Sequence, residues 1–231
     1  MSNKPLTGRK VAVIVEHKFI PEEIAAYRDC FTLLGASVDF ISRLYYGDYK
    51  PGSPYWRQAV FYSDVDPTDM EPWQSPELCR MNDDMDPTKI NLDEYDALIQ
   101  SANYTSVRLR YTEVTDAADA RSFVQSAPMV RLFAEAMKRK DLVKGALCHG
   151  LWTLTPHPEL LKGRRVTCHT VVMADILNCG AEVVFEENGD GKRTPARVVA
   201  DGDLVTGFSK HEVLPFIDAI AAGIIARRGA A

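Results

Sequence analysis

Residues 10–42 read KVAVIVEHKFIPEEIAAYRDCFTLLGASVDFIS, and this stretch decides the fold. The run VAVIVE between Lys10 and His17 is rich in valine and isoleucine without a polar alternation, as in a strand covered on both faces. Pro21, Glu22 and Glu23 follow in the order a helix start prefers, the proline with φ already set and the acids beside the positive end of the helix. Ile24, Tyr27, Phe31 and Leu34 then recur at helical spacing until Gly35, which reads as a C-terminal cap. Ser37–Ser42 gives a second strand. Strand, helix and strand within ~30 residues make a βαβ unit, and such a unit predicts a parallel sheet.

Working outward, Tyr95–Ala102 is a third buried strand. A helix follows with apolar positions Phe123, Val130, Phe133, Ala134 and Met137, and then a strand over Gly145–Cys148. Leu160–Cys168, a helix over Val172–Asn178, the strand Glu182–Glu186 and the pair within Ala196–Gly207 complete the sheet region. Asp201-Gly202 carries the turn signal of that last pair. Residues 213–228 close the chain as a helix. The order predicts an α/β fold, one doubly wound, mostly parallel sheet with helices on both faces, in a single domain over residues 1–231 without internal repeats.

Residues 43–94 interrupt the pattern. Tyr45, Tyr46, Tyr49, Tyr55, Trp56, Phe61, Tyr62 and Trp73 crowd together with Pro51, Pro54, Pro67, Pro72 and Pro76, and the part from Asp64 onward is acidic. Such aromatic content argues against a disordered spacer. Two readings stay open: an oligomer contact or core extension, and a lid over a pocket.

The chain has 231 residues, 46% of them hydrophobic and 26% charged, which is enough for one sizeable core. A formal charge of −5 without a basic block argues against nucleic acid or an anionic membrane as partner. No run approaches a membrane span, and MSNKPLTGRK lacks the apolar centre of a signal peptide. Cys30, Cys79, Cys148, Cys168 and Cys179 are odd in number and show no C-x-x-C spacing. They read as reduced thiols in a cytoplasmic protein, with neither a disulfide framework nor a metal site.

The stretch ALCHGLW at 146–152 carries the chemistry. A strand that ends at a cysteine and turns at once into a helix is a nucleophile elbow, and the small residues Ala146 and Gly150 let such a turn close. The side chain is then lifted above the carboxyl edge of the sheet, where ligands of open α/β sheets bind. A helix N-terminus beside Cys148 would favour thiolate, and the expectation is a thiol pKa lowered at Cys148 alone. The backbone N–H of His149 is placed to donate to an oxyanion. Without such neighbours, a cysteine ending an apolar run is ordinarily a small buried hydrophobe, and Cys30, Cys79 and Cys179 are read that way.

The span Cys148–Gly207, with ALCHG, LLKGRRVT, ADILNCGAEVV and DGDLVTG, resembles the ThiJ/PfpI superfamily of class I glutamine amidotransferase-like proteins. The opening VAVIVEHKFIPEEI…LLGASVDFIS resembles the same family's first strand-helix-strand. The resemblance implies a flavodoxin-like fold, a homodimer, and a reactive cysteine at the elbow followed by histidine. It also implies a glutamate from the first loop, hydrogen-bonded to the thiol. Counting back from Gly35 places that acid at Glu23, with Glu22 as the alternative. A carboxyl group can hold a thiolate only by sharing a proton with it.

Where relatives carry Gly-Gly after the third strand, this chain has Ser101-Ala102, and Ala102 is the expected second oxyanion donor. Where peptidase-like relatives supply an acid to orient the histidine, residues 103–108 contain none. His169 stands where some relatives have tyrosine, and reads as a general base or a loop histidine. His17 ends the first strand on the same edge. The candidate catalytic residues are therefore Cys148, His149 and Glu23. Ala102, Gly150, His169 and His17 are candidates for substrate or oxyanion binding, with no metal and no cofactor. The expected activity is attack of the Cys148 thiolate on an electrophilic carbon of a small molecule, by a hydrolase or a hydratase/lyase. Amides, 2-oxoaldehydes and isonitrile-like groups are the substrates the resemblance suggests. The alternative is a redox-sensing stress protein or holdase using the same cysteine.

Overall fold

The structure is a computed structural model that describes residues 4–42, 87–112 and 117–228, together with the strand backbones at 60–62 and 78–80. Strand β1 (Lys10–Ile14) leads into helix α1 (Pro21–Leu34) and β2 (Ser37–Ile41). The short strands β3 (Val60–Tyr62) and β4 (Leu78–Arg80) pair antiparallel with each other. Next come β5 (Ala97–Gln100), α2 (Thr105–Arg108), α3 (Ala120–Gln125), α4 (Pro128–Lys138) and β6 (Val143–Leu147). Then follow β7 (Arg165–Val166), α5 (Thr170–Asn178), β8 (Glu182–Val183), β9 (Phe185–Glu187) and β10 (Arg193–Pro195). The hairpin β11 (Val198–Asp201) and β12 (Leu204–Gly207) precedes α6 (Val213–Arg228).

The main sheet runs β11-β12-β6-β5-β1-β2, with every pair parallel except β11–β12. Successive residues of β1 face opposite sides, and both sides are covered. Val11, Val13 and Val15 enter one core with Tyr27 and Phe31 of α1 and Phe216 and Ile220 of α6. Ala12 and Ile14 enter the other, with Met129 and Phe133 of α4 and Val172 and Ile176 of α5. That is why β1 reads as an unbroken apolar run. Gly145 shows how close α6 lies: a Cβ there would stand 2.8 Å from Phe216 Cζ and 2.9 Å from Ile220 Cδ1.

The capping signals behave as their chemistry dictates. Gly35 closes α1 at φ +100, donating its N–H to Thr32, and Gly202 turns the last hairpin at φ +62. Two expectations are corrected. The helix expected through 123–137 is two helices, because Pro128 starts α4 afresh after Ala127. The strand expected at 182–186 does not join the main sheet. Its first half pairs with β7 and its second half folds back on β10, leaving Phe185–Glu187 exposed. The lid and interface readings of the 43–94 insertion fall largely on residues 43–59, 63–77 and 81–86, outside the described residues.

At the amino ends of β6 and β12, Lys144 is fully buried with its ammonium on Asp203. Arg164 binds the other Asp203 oxygen at 2.8 Å and Asp201 at 2.6 Å. These cations hold the Asp203 carboxyl below the usual carboxylate range, against the burial that would raise it. Among the described residues, no helix is long and apolar enough to cross a membrane.

Candidate active site

The chain winds away from β1 in both directions, toward β2 on one side and β5 on the other. The crevice above this reversal is where open α/β sheets bind ligands. Four connections deliver side chains there: the first turn of α1, the segment after β5, the elbow after β6, and the loop after β12.

Cys148 sits just beyond β6 at φ +60, a left-handed conformation that L-residues rarely hold. The strain is held from both sides. Its N–H donates to Gly207 O at 2.8 Å, and its carbonyl accepts from His169 N–H at 3.2 Å. Backbone strain of this kind persists where the surroundings over-determine it. Gly150 explains the need for a small residue: a Cβ there would stand 3.0 Å from Gln100 O and 3.2 Å from Ala146 Cβ. The helix after the elbow is only the 3-10 turn Gly150–Leu154, cut short by Thr155-Pro156.

Glu23 is buried and Glu22 is exposed, so the acid facing the elbow is Glu23. Its Oε1 accepts from Tyr27 Oη at 2.7 Å, and its two oxygens accept from Ala102 N–H at 2.9 and 3.1 Å. Burial and the Glu23 charge push the Tyr27 phenol well above its ordinary value, so it keeps its proton and donates. Ala102 therefore spends its N–H on Glu23. The N–H groups that act on the Cys148 sulfur are those of Asn103 and His149. Asn103 is itself left-handed at φ +64. The second N–H facing the sulfur is therefore that of Asn103, one residue beyond Ala102.

The expected fall in the Cys148 pKa is not found. Burial pushes the thiol up to about 12, opposed by the Asn103 and His149 N–H groups and reinforced by the charges of Glu23 and Glu212. Burial pushes Cys168 to about 12 as well. A five-residue 3-10 turn has too small a dipole to offset that desolvation. The Glu23 contribution depends on its charge, and a proton on Glu23 reverses its sign.

His149 Nδ1 lies 3.4 Å from Cys148 Sγ. Burial, then the neighbouring His169, lower the imidazole to about 4, so it is neutral at neutral pH. Its ring is enclosed by Tyr104 at 5.5 Å, Trp152 at 5.6 Å and His169 at 5.1 Å. Nε2 is buried without a hydrogen-bond partner among the described residues, so no described acid orients this histidine through that nitrogen.

Cys148, His149 and His169 line a cavity of about 370 Å³ with Asn103 and Ile20. Phe208, Ser209, Lys210 and His211 also line it, and sequence reading missed them. The signal was available, because this segment follows a parallel strand on the same carboxyl edge as Cys148. Glu23 acts on the thiol by its charge, Ala102 holds Glu23, and Gly150 closes the turn; none of the three lines the cavity. His17 does not line it either. Its N–H donates to Glu16 Oε1 at 2.8 Å, and Glu16 is a fully buried acid that also meets Ser42. Among the described residues no group of three His, Cys, Asp or Glu side chains is placed to hold a metal.

Residues 118–222 match the DJ-1/PfpI family, a span that includes the elbow and the Phe208–His211 wall. That span covers 105 of the 231 residues, and over it the chain resembles the DJ-1/PfpI family. The ThiJ/PfpI domain protein of Brachyspira murdochii is similar in structure, with 12% identity, a TM-score of 0.66, and 95% of this chain and 98% of that one covered. Drosophila melanogaster DJ-1beta gives 15% identity, a TM-score of 0.62 and 94% of both chains. A two-domain protein of Anabaena variabilis, with DJ-1/ThiJ/PfpI-like and ferritin-like domains, gives 18% identity and a TM-score of 0.64. This chain aligns there over 96% of its own length but spans only 48% of that protein. No curated protein sequence matches it.

Proposed function

We propose that the protein is a cysteine-dependent enzyme, of hydrolase or hydratase/lyase type, whose Cys148 sulfur attacks an electrophilic carbon of a small molecule. The observation that carries this reading is the strained Cys148, held at φ +60 between two backbone hydrogen bonds at the floor of a cavity of about 370 Å³. Core cysteines do not need that conformation. As sulfur adds, the electron pair of the C=O or C=N bond moves to the heteroatom, where the N–H groups of Asn103 and His149 hold it. The neutral His149, 3.4 Å from sulfur, moves the proton. An imidazole without an orienting acid among the described residues suits activated small molecules better than peptide bonds. Reversible oxidation of the same cysteine draws less support, because it gives no use to a cavity of about 370 Å³ beside the sulfur.

The test is turnover of a panel of amides, 2-oxoaldehydes and isonitriles, with rapid quenching and intact-mass analysis. A substrate that turns over should leave its mass on the Cys148 peptide. Turnover that persists in the Cys148→Ser variant would remove the reading.

In the reactive state, Glu23 and Cys148 share one proton, since Glu23 can face a thiolate only as the neutral acid. Such a pair presents a fixed fraction of thiolate over several pH units. Wild-type Cys148 is therefore expected to alkylate at a nearly pH-independent rate between about pH 6 and 9. In Glu23→Gln no second group takes the proton. Its rate should be slower at pH 6 and rise about tenfold per pH unit, as for any single thiol below its pKa. A tenfold-per-unit rise in the wild type would show that no proton is shared.

A further inference from the structure

We infer that the Cys148 cavity selects substrates bearing a carboxylate, which Lys210 holds at the mouth while the electrophilic carbon reaches Sγ below. This deepens the proposed function and rests on its reading that substrate enters here.

The chain carries 32 acidic residues against 27 lysines and arginines, yet none of the described residues that line this cavity is an acid. Lys210 and His211 are exposed on its rim, and no described residue makes an ion pair with Lys210. Their backbone is fixed by a capping box. The Ser209 hydroxyl accepts from His211 N–H at 3.2 Å, and Glu212 accepts from Ser209 N–H at 3.0 Å. His169 adds a donor. Its Nδ1 accepts from Val171 N–H at 3.3 Å, so the neutral ring carries its proton on Nε2.

The described acids that act on the site are Glu23 and Glu212. Glu23 is engaged by Tyr27 and Ala102, and Glu212 by Ser209 and by Arg197 at 3.5 Å. Both charges act on Cys148, so a permanent carboxylate is disfavoured beside the sulfur and favoured beside Lys210. That gradient sets the orientation: carboxylate outward, reacting carbon inward. A net-negative protein with a positive mouth also concentrates small anions there.

Iodoacetate and iodoacetamide test this, because they place the same electrophilic carbon beside a charged or a neutral end. In each, sulfur displaces iodide and forms one C–S bond. The iodoacetate-to-iodoacetamide rate ratio at Cys148, normalised to N-acetylcysteine, should exceed unity by about fivefold at low salt, the size of one solvent-exposed charge contact. It should fall in 0.5 M salt and return to unity in Lys210→Gln, but not in the surface control Lys162→Gln. Labelling of Cys148 with a ratio of one would overturn the inference and leave the nucleophile reading standing. If neither reagent labels Cys148, the nucleophile reading fails. Propionate and propionamide, titrated into Cys148→Ser protein and followed by imidazole NMR of His169 and His211, then decide. Saturating shifts with propionate alone, lost in the Lys210→Gln background, support the carboxylate site; equal or absent responses overturn it.

Discussion

Replacing Cys148 by alanine is expected to lower turnover by at least roughly a thousandfold while moving the melting temperature by no more than a few degrees. The activity loss follows from deleting the atom that bonds the substrate. The small stability change follows from where that atom lies. Sγ borders a cavity of about 370 Å³ already present, so its removal opens little new void. Alanine also keeps the left-handed strain at φ +60, whereas glycine relieves it. Cys148→Gly should therefore be at least as stable as Cys148→Ala, since a left-handed non-glycine residue costs about 1 kcal/mol or more. Circular dichroism melts of the three proteins, beside their kinetics, check both halves. If both variants melt far below wild type, Cys148 is a core residue and the catalytic assignment goes with it.

The largest effect on stability is expected at Asp203. The residue is 4% exposed, and its carboxylate lies between the ammonium of Lys144, itself fully buried, and the guanidinium of Arg164. Asp203→Ala strands the Lys144 charge in the sheet, and breaking a buried pair in this way costs about 3–5 kcal/mol. For a domain of this size that lowers the melting temperature by roughly 10 °C. Lys144→Met should cost much less, because it removes the stranded cation and leaves Asp203 with Arg164. The sign with pH follows from the depressed folded pKa of Asp203. Its contribution is complete above the unfolded carboxylate value of 3.8 and is lost as pH falls through the lower native value. Wild type should lose stability below pH 4 along a steeper limb than Asp203→Ala. Parallel acid limbs for the two proteins would show that the pair is not coupled to folding.

The parts of the molecule legible in the sequence are those set by local chemistry. The apolar run of β1, Pro21 opening α1, Gly35 closing it and the Asp201-Gly202 turn each state their geometry within a few residues. The elbow was legible for the same reason, since Ala146 and Gly150 are small where the turn must close. What escaped depends on distant segments. Tyr27 reads as one more apolar position on a helix, and only the fold turns its hydroxyl onto Glu23. Lys210 and His211 follow a strand without any motif and reach the cavity only because β12 lies beside β6. The Cys148 pKa was misjudged because a helix was expected where Pro156 permits only a short turn, and because desolvation by the surrounding core is invisible in a local stretch.

The hydrogen bond from Ala102 N–H to Glu23 spans 79 residues, and the one from Cys148 N–H to Gly207 spans 59. Contacts of such separation are slow to form, because each closes a long loop before it gains anything in return. The elbow therefore cannot take its strained form early in folding. Until β12 docks on β6, Cys148 is an ordinary flexible thiol, and until β1 and β5 are paired Glu23 has no fixed place beside it. A nascent or partly unfolded chain thus lacks the assembled nucleophile, and the appearance of activity during refolding should coincide with completion of the sheet.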